Sequence, residues 1–576
     1  MKENGIFWLS TQLPVLRRQS GAGTATPLEL TAGHADDPII AVRFGHPMAD
    51  RGFELLLRDI LQAAMPPRDK AEWLSRLLNP PTPAELAAAL APYQAAFQID
   101  HPETPCFQVR PSPQMLAAAM EGKGRKRPAK APADSDDEEE EAGSQPIASL
   151  LPDLPTGEAI KQDTDFFVRR GGVTAIGAGA ILPVLYAHMV LFPPGGGGYF
   201  GLPHGADSIK YQVVGDTLWQ TLWLNVLCPG AEGFERPESG RPAPMDASVF
   251  PWLDPELPHL PLGRRDEAAT KPLDRPRLHP AHIPMARRYL LSPPVTGRCD
   301  LTGLAGPVYQ SYDRWPKGLQ YAPRGWLYPN VSRIELVGKP EEESRFAKAP
   351  GPLRFDDWLE TALANTEGSR TAKTGTPRRR LPAVLRQVAA VGRPHLVGAG
   401  NAVGTALQEG SLRVRAFAQF NYGKAVGGMS QRELPVWLLP DDDLMWLCGE
   451  VTMALERASL MGDALRWLAK EAALLGQQKG ASAVADNLRD AFLAGLDSAA
   501  LALPADLAKA VRAPKTSPYE EADRLRDGFL TQARRHALAL FDGAFPIDGL
   551  GSVDDRLAAA RGRLVTRLHR ILQGEV

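Results

Sequence analysis

From Asp441 to the C-terminus, apolar residues recur three and four positions apart, and this helical tail constrains the fold more than any other stretch. Four segments carry the period: DDDLMWLCGEVTMALERASLMGDALRWLAKEAALLG, SAVADNLRDAFLAGL, SPYEEADRLRDGFLTQARRHALALF and SVDDRLAAARGRLVTRLHRILQ. Ser517 and Glu520 have capping-box spacing, with Pro518 at the first helical position. Leu525, Phe529, Ala533 and Leu540 fall on one face of the third helix. Asp441, Asp442 and Asp443 look like nuclease carboxylates. They precede a helix, where acids cap exposed N–H groups and oppose the macrodipole. Four amphipathic helices on short connections bury their faces against one another, which predicts a C-terminal four-helix bundle over 436–576. Arg556, Arg563, Arg567 and Arg570 share one face of the last helix, either as a solvated polar face or as a phosphate-tracking one.

The chain before Asp441 follows no single period. GIFWLSTQLPVLRR and TPLELTAGHAD alternate as short strands do, then FELLLRDILQAAM and KAEWLSRLL read as amphipathic helices from Phe53. Pro80, Pro81 and Pro83 punctuate, and ELAAALAPYQAAFQ resumes a helix. Pro146 to Leu154 reads as a short helix, and Ile209 to Leu227 ends in an apolar helix or strand. Ala231 to Pro284 is Pro-rich and irregular, Leu301 to Arg333 is rich in aromatics and turns, and 340–380 is polar and basic. Ser411 to Leu439 predicts a hairpin: LRVRAFAQF alternates, NYGKAVGG turns and MSQRELPVWLL returns. The fold class is therefore α+β, a large mixed α/β N-terminal domain (1–435) ahead of the bundle. Within it, GKGRKRPAK followed by DSDDEEEEAG concentrates like charge too densely to pack, so 121–143 is predicted to be a disordered insertion. The 576 residues suffice for two or more domains, and 44% hydrophobic with 23% charged residues is globular. The net charge of −2 decides nothing about nucleic acid.

Several function classes fall away. Cys106, Cys228, Cys299 and Cys448 form no CxxC pair, which predicts a reducing compartment and no metal site, and no secretory signal opens the chain. A cytoplasmic location is expected. Val173 to Phe192 is uncharged and long enough to cross a bilayer. Pro183, His188 and the small residues Gly177, Ala178, Gly179 and Ala180 instead favour a buried helix. That run leads into PPGGGGYFGLPHG, where Gly195, Gly196, Gly197 and Gly198 leave the backbone bare. Such a loop is either a loose connection or a place where main chain lies directly against a ligand. GGGYFG satisfies G-x-G-x-x-G, but prolines on both sides deny it the strand–turn–helix setting of a dinucleotide site. Gly398, Gly400 and Gly404 form a second string, also outside that setting. A nucleotide-dependent enzyme using these strings is the rival reading. His279 and His282 have metal-like spacing without a completing Cys or carboxylate, so they read as structural. No catalytic centre emerges.

Taken in order, the segments resemble a known family. LLNPPTPAELAAALAPYQAAFQIDHPETPCFQ, then GGVTAI with the glycine loop, VGDTLWQTLWLNVL, HPAHIPM, Cys299 and GWLYPNVS match the pattern of CasA. CasA is the large subunit of the type I-E CRISPR surveillance complex, Cascade. The resemblance implies a non-catalytic subunit without a cofactor or membrane contact. Its partners would be a crRNA-containing assembly (backbone, small helical and 5′-handle-binding subunits), double-stranded target DNA and a trans-acting helicase–nuclease. Guide pairing reads the target in such complexes, and the protein reads only the PAM. The resemblance places PAM reading, from the minor groove, on Gly195 to Gly198 and on Lys317. It places a strand-separating wedge on the hairpin Asn421 to Gly428, guide-proximal contacts on Lys161 and Gln162 in the loop Pro155 to Phe167, and displaced-strand phosphate contacts on Arg563 and Arg567. This sequence departs from the family at the hairpin tip, where Lys424, Ala425 and Val426 stand in place of a glutamine. Either Val426 acts as an apolar blade or Lys424 holds phosphate. The cysteine cluster of some relatives is reduced to Cys299, which predicts no zinc, and 121–143 has no counterpart.

Overall fold

A computed structural model describes residues 5–117, 144–154, 171–192, 208–229, 241–259, 279, 281–315, 318–319, 328–336, 338, 345–349, 351–363, 377–388, 412–422, 425–437, 439, 441–475, 480–512, 518–547 and 552–575. The chain divides into two compact units, Met1–Pro352 with Ser369–Glu433, and Leu353–Gly368 with Leu434–Val576.

The first unit opens with β1 (Leu13–Arg17), β2 (Gly21–Ala25), β3 (Ile39–Val42), α1 (Pro47–Ala64), α2 (Lys70–Leu78) and α3 (Pro83–Leu90). After β4 (Gln145–Pro146) and β5 (Ile176–Gly177) come α4 (Ala178–Val190), β6 (Lys210–Val214) and α5 (Leu218–Trp223). A run of strands follows, β7 (Arg288–Leu291), β8 (Val295–Arg298), β9 (Ala305–Tyr309), β10 (Ser311–Trp315), β11 (Arg333–Leu336) and β12 (Arg345–Phe346). Helix α6 (Phe355–Leu363) intervenes before β13 (Pro377–Arg380), α7 (Ala383–Gln387), β14 (Arg413–Tyr422) and β15 (Ala425–Pro435). Among the described residues the strands form five three-stranded sheets, including β4-β10-β7 and β15-β14-β6. The architecture is α+β, small sheets set around helices.

Caps decide the helix starts. His46 accepts from Met48 N–H with Pro47 at the first turn, so α1 begins before Phe53. Asp69 caps α2, and Thr82 with Glu85 closes a capping box on α3. The same chemistry overturns one expectation: Thr26 and Glu29 box a 3-10 turn at Pro27–Glu29, where alternation predicted a strand. Ile147–Leu150, too, is a single 3-10 turn within the short helix expected there.

Helix α1 is the centre of this unit; it is amphipathic as predicted, yet all of Gly52–Ala64, its polar face included, is buried. Its backbone meets α4 at Gly52, where a Cβ would overlap the Pro183 carbonyl oxygen and crowd Ala187. Helix α4 is buried almost throughout and spans 13 residues, so the bilayer-length apolar run is a core helix. Trp219 and Trp223 of α5 stack at 5.3 Å, and their indole N–H groups donate to Arg76 O and Trp73 O, both at 2.8 Å, tying α5 to α2.

The second unit holds α8 (Asp441–Leu475), α9 (Ala481–Arg512), α10 (Pro518–Ala544) and α11 (Ser552–Gln573). Helix α8 packs on the other three. Helix α9 continues through Pro504, well past the expected end near Leu496. It is long and apolar enough to cross a membrane, and it packs on α8 and α10. The buried face of α10 is Ala522, Phe529, Leu530, Ala533, Ala537 and Phe541. Leu525 and Leu540 lie only half-buried at its margin, and Ser517 of the expected capping box lies outside the described residues. Helix α6 joins this unit, with Phe355, Trp358 and Leu359 fully buried and the element packed on α8 and α9. Ion pairs cross the helix seams at Arg489–Asp463 (2.7 Å), Arg526–Glu450 (2.8 Å) and Arg561–Asp542 (2.5 Å). The exposed pair among them, Arg561–Asp542, adds little stability.

Candidate nucleic-acid interface

Helix α4 delivers the chain to the glycine loop. Its last turn carries His188, whose Nε2–H donates to Leu150 O at 2.5 Å while Nδ1 accepts from the Tyr289 hydroxyl at 3.0 Å. Burial, and then the Arg287 guanidinium nearby, holds this imidazole well below its usual range, so it stays neutral. Its ring stacks on Phe192 at 4.0 Å. Arg287 closes the other side: it donates to Phe192 O at 2.8 Å and lies over the Phe192 ring. The last described residue before the glycine loop is thus held through both carbonyl and ring. At the loop's far end Ser208 bridges Lys348, and the buried Lys210 ammonium donates to Ser208 O and Oγ.

The segment next to Arg287 also holds the chain after β10. Trp315 ends β10 opposite Arg288 of β7. Past that pair, Gly318 N–H donates to Ala286 O at 3.2 Å and Leu319 N–H to Met285 O at 2.7 Å. A Cβ at Gly318 would overlap the Met285 and Ala286 backbone, so only glycine lets the chain lie this close. Phe192, which leads into the glycine loop, and Gly318 and Leu319, which follow Lys317, therefore share one three-residue segment, Met285 to Arg287.

The hairpin meets the same region by register. Strand β6 runs antiparallel to β14 from Arg413↔Val214 to Phe417↔Lys210. Residues after Phe417 continue past the start of β6, the end at which the glycine loop enters. The far part of β14 therefore lies toward Ser208, the first described residue after the glycine loop. The stem is held by buried charge. Arg415 Nη1 donates to both Glu54 carboxylate oxygens (3.2 and 2.8 Å) and its Nε to Glu433 at 2.6 Å. Arg413 Nε reaches the other Glu433 oxygen at 3.1 Å, and Arg51 pairs with Glu54 at 2.5 Å. Burial pushes the Glu54 carboxyl up to about 7, opposed by Arg51.

The profile of the CRISPR-associated protein Cse1 family matches residues 10–540. The chain belongs to that family. Solved structures share its fold: Cse1 of Thermobifida fusca (18% identity, TM-score 0.63, covering 99% of this chain and 98% of that one) and CasA of Thermus thermophilus (17%, 0.61, 99% and 100%). A chain of a structure described as a CRISPR RNA-guided surveillance complex matches at 15% identity and TM-score 0.62, covering 98% of this chain and 99% of that one. No curated protein matches the sequence.

For a Cse1-family chain, most residues that the resemblance singles out fall outside the described residues: Lys161, Gln162, Gly195, Gly196, Gly197, Gly198, Lys317 and Lys424. Asn421 lies in β14, and Ala425 and Val426 lie in β15. The expected turn NYGKAVGG is thus shorter than predicted, because strand pairing extends to Tyr422 and resumes at Ala425. Arg563 and Arg567 are exposed on α11, at the margin of the buried stripe Leu564, Leu568 and Ile571. Arg563 pairs with Glu471 of α8, whereas Arg567 has no ion pair among the described residues. His282 Nδ1 bonds Ser248 O at 2.7 Å and His279 Nδ1 accepts from Ala281 N–H at 3.0 Å, backbone contacts that suit structural histidines. Cys299 is buried behind Gly177. Sequence reasoning passed over Arg287, Glu54, Arg415 and Glu433. The one available signal was Arg413, Arg415 and Glu433 alternating onto one face of the predicted hairpin.

Proposed function

We propose that this chain is the large, non-catalytic subunit of a crRNA-guided DNA surveillance complex, and that it reads the PAM of double-stranded target DNA from the minor groove. The observation that carries the reading is the anchoring of Phe192 and Gly318 on Met285 to Arg287, with the far part of β14 lying toward Ser208. Bare backbone at Gly195 to Gly198 suits a groove too narrow for side chains. A Lys317 ammonium suits the acceptors there, which distinguish A·T from G·C but little else, so several PAMs are tolerated. The hairpin, through Val426 or Lys424, opens the first base pairs, at a few kcal/mol of unstacking offset by heteroduplex formation and backbone contacts. Lys161 and Gln162 sit by the guide, and Arg567, with Arg563, meets the displaced strand beside the small helical subunits. A surface of the chain receives the helicase–nuclease.

A tagged chain is expected to co-purify with a crRNA-containing assembly. Lys317→Ala and Gly196→Val are then expected to weaken binding to PAM-bearing duplex while the assembly stays intact. If both variants bound as wild type does, the site assignment would be wrong. Tight binding of ATP or NAD to the purified chain would favour the nucleotide-enzyme reading instead.

A further inference from the structure

We infer that the ladder Arg51–Glu54–Arg415–Glu433–Arg413 is the rigid mount of the β14–β15 hairpin, so that Glu54 and Arg415 are positioning residues for duplex opening. The inference rests on the reading of the hairpin as the strand-separating element. Among the described residues strand β6 pairs with β14 from Arg413 to Phe417, and the five residues Ala418 to Tyr422 run beyond that pairing, with Ala418, Gln419 and Phe420 buried. Two-stranded ribbons are marginally stable alone, so the packing of these three buried residues and the polar contacts of the stem together fix the direction of this one.

The stem has what direction requires. Arg413 and Arg415 sit two apart and face one side of β14, and Glu433 answers both from β15. Arg415 then reaches out of the sheet to Glu54, 361 residues away in sequence, on the helix at the centre of the unit. Gln212, the register partner of Arg415 on β6, bonds the same Glu54 carboxylate. The side chains of Arg415 and Glu54 are only 10% and 8% exposed. Buried pairs of this kind are commonly no more stabilising than apolar residues of the same size. What the planar guanidinium adds is orientation, because its Nη1 and Nε, fixed in one plane, reach two carboxylates on different elements at once, where apolar contacts leave the angle free. A tip that unstacks base pairs is pushed back by the duplex. A stem whose β14 is tied both to a buried helix and to β15 resists that push, whereas one resting on apolar contact rocks.

The test uses the full complex carrying Arg415→Lys, which keeps the charge and loses the planar guanidinium, and separately Glu433→Gln, at a half-exposed position. Opening is followed by fluorescence of a base analogue beside the PAM, on fully paired duplex and on duplex mismatched at those same base pairs. Each variant is expected to slow opening of paired duplex by roughly tenfold, equal to about 1.4 kcal/mol of barrier. On the mismatched duplex, where no base pair needs splitting, each is expected to match wild type. Equal slowing on both substrates, or none on the paired one, overturns the mount. Should Arg415→Lys prevent assembly, Glu433→Gln decides by the same comparison. If wild type itself opens duplex regardless of PAM, the underlying reading fails and the mount is not the cause.

Discussion

Asp59 shows how far a single side chain can depart from its sequence appearance. It follows Arg58 on α1, and both are fully buried. Their charges pair at 2.9 Å, Tyr186 donates its hydroxyl to Asp59, and Tyr328 bonds Tyr186 at 2.9 Å. Burial nevertheless pushes the Asp59 carboxyl from 3.8 up to about 6. An acid whose folded value is raised holds its proton where the unfolded chain has already released it. Its contribution therefore falls as pH climbs from about 4 to about 6 and is level above that, a total of roughly 3 kcal/mol. Asp59→Asn is expected to remove this slope. Urea unfolding followed by tryptophan fluorescence should show wild type losing stability against the variant between pH 4.5 and 6.5; parallel curves would refute the assignment. A sequence reader sees Arg58-Asp59 in a helical period and assigns it to solvent. The partners that bury it, Tyr186 and Tyr328, lie more than a hundred residues on.

At the scale of elements, α1 and α4 form the pair on which the first unit is built. Their contact is set by the absence of a side chain at Gly52 and by the Pro183 carbonyl that occupies its place. Gly52→Ala forces the helices apart and is expected to cost roughly 1–3 kcal/mol, read as a lower urea midpoint. An unchanged midpoint would mean that the helices separate freely. Elements were legible wherever local chemistry decides them: LRVRAFAQF and MSQRELPVWLL mark the two strands of the hairpin, and the tail keeps a helical period for over a hundred residues. They were illegible where tertiary partners decide, as in the buried polar residues of α1. Helix α11 divides the predicted basic stripe in the same way. Glu471 already engages Arg563, while Arg567 is open. Arg567→Ala is therefore expected to lower the salt slope of DNA binding by about one phosphate contact, and Arg563→Ala by less. Equal effects in a titration from low to moderate salt would remove the distinction.

At the scale of the molecule, the units are not two consecutive lengths of chain. Helix α6 lies well before the bundle's other helices in sequence, yet Phe355, Trp358 and Leu359 are buried where it packs on α8 and α9. Phe355 N–H donates to the Asp497 carboxylate at 3.0 Å, and Arg489 reaches Asp356 at 3.4 Å. Sequence alone places this helix in a polar, basic stretch, because its three anchors are too few to set a period against their surroundings. A cut at Glu433 would strip α6 of its partners, and the bundle would lose the cover of three large apolar side chains, each worth about 1.5–3 kcal/mol. The fragment 434–576 is therefore expected to melt roughly 10 °C below the same fragment with 353–368 joined through a flexible linker. The fragment 1–433 should bind an apolar dye that the fragment also lacking 353–368 does not. Equal melting temperatures, measured by circular dichroism, would show that α6 is a passenger on the bundle. A clear gap would make it the point where the two stretches of chain depend on each other for folding.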